Sequence, residues 1–230
     1  KMRDEIKLSK GNNKRITHVE KSFEVIFIYT TYKINSLTDI PITFLTIITK
    51  NYNKSSLDTS ELLNNFLNDC FKDLIKTLNI TNFQARASRT GDMFEYAFWY
   101  LMKNKYKIEL KISVSIPKAC MVDGGELDFA LYKENKMVCG IEAKGSDPAS
   151  SDRPALLRTD TMKKGICQAY QFKRIFPKIP FFIVTNVKPS SGNSACMMAL
   201  AEGDIVDKFV DATNFKELSD FAEKLRDLMK

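Results

Sequence analysis

Hydrophobic and polar positions along this chain alternate with two different periods, and the switches between them mark out an α/β order. Residues 22–33 and 41–50, rich in Ile, Phe, Thr, Tyr and Val, predict two strands joined across residues 35–39, hence a hairpin near the N-terminus. A polar linker follows at 51–56. Ser60-Glu61-Leu62-Leu63 opens a helix to about Lys76, with Leu62, Phe66, Cys70 and Leu74 on one stripe. A second helix is expected from Thr90 to about Lys103. Its apolar residues, Met93, Phe94, Ala97, Phe98, Trp99, Leu101 and Met102, wrap most of its circumference, so it should be covered on more than one side with Glu95 caught among them. Strands are expected at 107–116, 126–132 and 137–144, the last two joined by a turn over Lys133–Lys136. A polar loop at 145–159 leads to a helix from Asp160 to Phe176, stopped by Pro177. Phe181–Val184 is continuously apolar, as in a strand covered on both faces. An apolar helical stretch is expected over 194–209. The last helix opens at Asn214-x-x-Glu217 and carries Phe215, Leu218, Ala222, Leu225 and Met229 as its core stripe.

Composition narrows the class. The 230 residues are 44% hydrophobic and 11% aromatic, which suits a folded globular chain. The apolar runs are too short to span a bilayer, and none reads as a secretory signal, so a cytoplasmic protein without membrane contact is expected. Five cysteines without a C-x-x-C pair suggest reduced thiols. His18 is the only histidine, which excludes Ser-His-Asp and Cys-His catalysis on an ordinary reading, and histidine-rich metal sites with it. The net charge of +7 favours a polyanionic partner. Residues 1–56 hold ten basic against five acidic side chains, and the remainder 25 against 23. The excess therefore concentrates in an N-terminal basic extension, residues 1–56, ahead of the main domain at 57–230. Its hairpin would serve as a DNA clamp, a dimer surface or a packed edge of the core.

The chemistry gathers at the expected hairpin. Asp128 lies in GGELDFALY, and Glu142 and Lys144 lie fourteen and sixteen positions later in MVCGIEAKGS. Alternation puts Glu142 and Lys144 on one face of their strand, roughly 6–7 Å apart, and an antiparallel partner can set Asp128 opposite them. Two carboxylates and the carbonyl of Ala143 between them offer hard oxygen donors suited to Mg²⁺, with Mn²⁺ as a substitute. Lys144 can stabilise developing negative charge, orient a water or deprotonate it. The plain alternative is a surface hairpin with an ordinary salt bridge. Glu95 either pairs with an arginine such as Arg89 or reaches the metal.

The Asp128…Glu142-x-Lys144 pattern resembles the PD-(D/E)xK nuclease superfamily, whose largest group is the type II restriction endonucleases. The proline that often precedes the aspartate is absent. The resemblance covers residues 90–230 and implies a restriction-endonuclease-like core: a mixed central sheet flanked by helices in the order αβββαβα. It also implies Asp128, Glu142 and Lys144 as catalytic residues, Glu95 in the place of a glutamate that many members carry on the first core helix, and Mg²⁺-dependent hydrolysis of double-stranded DNA. Other branches carry Q-x-x-x-Y on the helix after the motif; this chain has Gln168-Ala169-Tyr170-Gln171-Phe172, with phenylalanine where the tyrosine would be. A type II restriction endonuclease is the leading expectation. The alternatives are a repair, junction-resolving or exonucleolytic nuclease of the same fold, or a catalytically silent DNA-binding module.

Candidate DNA contacts follow from charge and position. Arg86 and Arg89 precede the Glu95 helix, and Lys163 and Lys164 lie on the helix from Asp160. Arg153 and Arg158 in the 145–159 loop, and Lys188 and Asn193 in the KPSSGNS loop, could read base edges. Cutting both strands of a palindrome is most simply done by a two-fold dimer, so a homodimer is expected.

Overall fold

The computed structural model describes residues 57–79, 81–116, 125–149 and 153–230. The N-terminal hairpin, and with it the 1–56 extension, lies outside the described residues. Helix α1 (Ser60–Leu78) starts where Thr59 caps it, the hydroxyl accepting from Leu62 N at 3.2 Å, and ends at Asn79 in the left-handed region. Helix α2 spans Phe83–Tyr100 and runs into a π-helical turn, Leu101–Lys105. The sequence reading began α2 at Thr90, seven residues late. Asn82 is the actual cap, accepting from Ala85 N at 3.1 Å. Thr90 instead lies buried inside the helix, its hydroxyl bonded to the carbonyls of Arg86 and Ala87. A Thr-Gly pair imitates a helix start, but here the hydroxyl is satisfied by its own helix.

Five strands form one mixed sheet in the order β1 (Lys111–Ile116), β2 (Gly125–Lys133), β3 (Lys136–Ala143), β4 (Phe181–Thr185) and β5 (Lys208–Asp211). The first three pair antiparallel and the last three parallel. Glu134 and Asn135 turn the β2–β3 hairpin with φ of 49° and 62°, the double left-handed conformation of a two-residue hairpin turn. Between β3 and β4 run a short 3₁₀ turn, Ala155–Leu157, and helix α3 (Thr159–Ile175). Helix α4 (Gly192–Ala201) joins β4 to β5, and α5 (Phe215–Leu228) ends the fold.

The expected order αβββαβα therefore needs an addition. The stretch 194–209 is not one apolar helix: Gly203 at φ 87° breaks it, and Lys208–Asp211 becomes a strand. All five residues of β4 are buried because β4 is covered on both sides by strands and on both faces by helices. One face of the sheet packs Phe129, Leu131, Ile141, Phe182 and Val184 against α1, α2 and α5. The other packs Ala130, Phe181, Ile183 and Phe209 under α3 and α4. Leu127, which regular strand alternation would put on the Phe129 face, joins the α3 side. Opposite this segment β1 carries Ser113 at φ 50°, between the residues paired to Leu127 and Phe129. No described helix is long and apolar enough to cross a membrane.

Candidate active site at the open end of the hairpin

The β2–β3 register pairs Ala130 with Gly140 and Phe129 with Ile141, so the next step sets Asp128 opposite Glu142. There the aspartate side chain takes over from the backbone ladder: its Oδ2 accepts from Ala143 N at 2.8 Å. Glu142 is only 2% exposed. Its Oε1 accepts from the Lys144 ammonium and, at 2.7 Å, from Gln168 Nε2 on α3. Its Oε2 is buried without a partner. Asp128, Glu142 and Lys144 thus converge as strand alternation requires. The arrangement is more than a surface hairpin with a salt bridge, because the central carboxylate is buried.

Neighbouring elements hold this strand end rigid. Lys144 N donates to Val184 O, and Lys144 O accepts from the Thr185 hydroxyl, both at 2.8 Å. Gly145 lies under the Phe94 ring so closely that a Cβ there would sit 2.0 Å from Phe94 Cγ. Beyond it, Ser146 and Asn186 exchange two hydrogen bonds of 3.1 and 2.8 Å, the amide side chain imitating another strand pairing. Gly165 of α3, whose own Cβ would stand 4.0 Å from Lys144 Cγ, lets the helix close over the lysine stem.

Electrostatics follow from burial and crowding. Burial, and then the nearby Asp128 charge, push Glu142 up to about 7, against the opposing pull of Lys144 and Gln168. Burial works against the Lys144 charge, but Glu142, Asp128 and Glu95 together hold its pKa above the ordinary lysine value. Lys144 is therefore an ammonium at neutral pH. Glu95 is half-buried rather than enclosed and acts on Lys144 through its charge. Among the described residues no three His, Cys, Asp or Glu side chains gather to hold a metal. The donors still suit a magnesium ion. Glu142 Oε2 is an orphaned buried oxygen that a cation would satisfy, and a hexacoordinate ion with several waters needs only one or two carboxylates.

The remaining candidates scatter. Arg86 is bound to the buried Asp147 at 2.7 Å, and Arg89 lies 3.6 Å from Asp92. Arg158 forks onto Asp160 at 3.1 and 2.8 Å. Lys188 turns inward to Glu217 and to the Phe209 carbonyl. Arg153, Lys163, Lys164 and Asn193 are exposed. A cleft of 560 Å³ lined by Lys72, Lys76, Arg86 and Asp147 opens three residues past Lys144; neither it nor a larger groove of 890 Å³ beside Trp99 and β1 contains the Asp–Glu–Lys group. Gln168, Ser146 and Asn186 also belong to this strand end, beyond the residues expected from the sequence. Only the glutamine carried a signal, the partial Q-x-x-x-Y. Comparison with protein-family models finds no match, and neither does a search of curated proteins.

Proposed function

We propose that the protein is a metal-dependent endodeoxyribonuclease of PD-(D/E)xK type, whose leading form is a type II restriction endonuclease cutting duplex DNA at a specific sequence. The observation that carries the reading is the buried Glu142. It is faced by Asp128, bridged by Lys144, and left with one oxygen unpaired in a place no structural salt bridge requires. A buried carboxylate short of partners is costly to a fold, and metal-ion chemistry is a reason to keep one.

In this reading Asp128, Glu142 and the Ala143 carbonyl would hold Mg²⁺. When bound, the ion supplies Lewis acidity towards a phosphate oxygen and makes a water more acidic. Lys144, held protonated, donates to the negative charge that develops on the scissile phosphate and orients the attacking water; its raised pKa disfavours it as the base. Gln168 fixes the Glu142 carboxylate through Oε1 and leaves Oε2 without a protein partner, available to the ion. Water adds to phosphorus, one P–O ester bond breaks, and the leaving oxygen takes up a proton.

Gln168 also favours a second reading. It lies on the helix after the motif, where the Q-x-x-x-Y branches carry their glutamine, and it bonds Glu142, which supports an end- or structure-directed nuclease of the same fold. Incubation of supercoiled plasmid, its linearised form and a branched junction with the protein and Mg²⁺ separates the readings. Discrete fragments support the restriction enzyme, a smear or junction-only cleavage supports the second reading, and intact DNA rejects both.

A further inference from the structure

Helix α3 presents three sides. Met162, Gly165, Ala169 and Phe172 are buried against the sheet, and Gln168 on one flank reaches Glu142. Lys163, Cys167, Tyr170 and Arg174, spaced by four, three and four, form an exposed stripe opposite the buried side. Lys164, also exposed, lies between this stripe and Gln168, one turn before the glutamine. Tyr170 is 53% exposed and is the only aromatic among the exposed large hydrophobic residues of the described chain.

The cations here differ from others nearby. On and beside the same helix, Lys173 pairs with Asp207 at 2.7 Å and Arg158 with Asp160. Among the described residues Lys163, Lys164 and Arg174 have neither an ion pair nor a hydrogen-bond partner, and the Tyr170 ring makes no aromatic or cation contact. Three like charges and an exposed ring therefore share the outward surface of one helix, and none of the three has an ion-pair partner among the described residues. Lys163 and Arg174 are about 16 Å apart along the axis, at a rise of 1.5 Å per residue. That length accommodates several successive phosphates.

We propose that this outward face of α3 is a track for single-stranded DNA, with Tyr170 stacking on an unpaired base and Lys163, Lys164 and Arg174 contacting the phosphates around it. Charge complementarity selects a polyanion, and the ring selects among polyanions. A side chain projecting from a convex helix can lie flat only on a base whose face is not covered by a neighbouring pair, and stacking of this kind tolerates any base. Lys164, between the stripe and Gln168, joins the track to the flank of the helix that reaches Glu142. This rests for its purpose on the end- or structure-directed form of the nuclease reading, since cutting paired duplex needs no unpaired strand, but the binding is measurable without cleavage.

The test is fluorescence anisotropy in EDTA at low salt with three probes. These are a labelled oligothymidine of about twenty nucleotides, longer than the site of one binding fold, a duplex of equal length, and polyglutamate as competitor. The single strand is expected to bind more tightly than the duplex. Tyr170→Ala should weaken single-strand binding by about tenfold, within the range of stacking energies per base, and Tyr170→Phe should retain it. Lys163→Ala with Arg174→Ala should lower the salt slope by roughly 1.4, at about 0.7 per phosphate contact on a single strand. Unchanged binding by Tyr170→Ala, or duplex held as tightly as single strand, overturns the proposal. Displacement of the oligothymidine by polyglutamate at equal charge concentration overturns it too, marking a surface for acidic protein. Mg²⁺-dependent cleavage is scored separately on the wild-type chain. Cleavage with Tyr170-independent binding refutes the track alone, and Tyr170-dependent binding without cleavage refutes the nuclease alone.

Discussion

Glu142 concentrates the residue-scale physics of this molecule. Its pKa rises from 4.5 to about 7 on folding, so the folded chain binds its proton more readily than the unfolded one. The stability it contributes is complete below about pH 4.5 and is lost as pH climbs through 7. Lys144 does not cancel this trend, because its raised value keeps it protonated throughout that window. Urea midpoints of the metal-free protein should accordingly fall between pH 5 and 8 relative to those of Glu142→Gln; parallel curves would show that the carboxylate does not titrate there. The same argument has a counterpart in the metal. An ion binds the deprotonated carboxylate, so the rise in melting temperature produced by Mg²⁺ should grow over the same pH range. For catalysis, Asp128→Ala and Lys144→Ala should each abolish cleavage, while Lys144→Ala keeps most of its DNA affinity. Turnover at the wild-type rate in either variant would reject the assignment. Glu95→Gln removes one of the charges that support the Lys144 ammonium and should slow cleavage modestly; identical kinetics across a Mg²⁺ titration would leave Glu95 a structural role only.

At the scale of elements, the site depends on how closely helices approach the end of β3. A Cβ on Gly145 would lie 2.0–2.5 Å from three atoms of Phe94, whereas one on Gly165 would meet Ile183 Cδ1 at 3.1 Å and little else. Gly145→Ala should therefore cost about 1–3 kcal/mol, as overpacking does, and displace Lys144 with it. Gly165→Ala should cost distinctly less. Thermal melts of the two variants check the ranking, and equal melting temperatures would contradict the packing described. The same elements explain what the sequence could disclose. Alternating strands around Asp128 and Glu142, with a polar turn between them, fix the hairpin and its facing carboxylates, because a period of two leaves a single side for each residue. Thr90 and Gly91 look like a cap and so mask the true start of α2 at Phe83. The β5 strand was hidden because Lys208–Asp211 is only four residues long and adjoins an apolar helix. Lys188 resembled a loop cation free for DNA, and only tertiary structure supplies its Glu217 partner, twenty-nine residues away. Gln168 reaches Glu142 across twenty-six residues, a contact that no local pattern encodes.

The whole molecule carries +7, yet several of its best-placed arginines and lysines are already neutralised by the fold. Nucleic-acid affinity should therefore be strongly salt-dependent but with a slope smaller than a count of basic residues suggests, about 0.9 per phosphate contacted on duplex DNA. A flat salt response would argue against a nucleic-acid partner altogether. Under the restriction reading a stoichiometry can be expected. Among the described residues one Asp128–Glu142–Lys144 centre is present, built at a single strand end, and one such centre hydrolyses one phosphodiester at a time. A restriction enzyme that severs both strands in one encounter then needs two copies related by a two-fold axis, matching the symmetry of a palindromic target. Sedimentation of the chain with uncleaved palindromic duplex in Ca²⁺ should give two chains per duplex, and supercoiled plasmid should pass to linear without accumulating nicked circles once protein exceeds DNA. Accumulation of nicked circles at every protein concentration, with one chain per duplex, would instead describe a centre that works alone on a single strand. That outcome would move the protein from the restriction reading to the end- or structure-directed one that Gln168 favours.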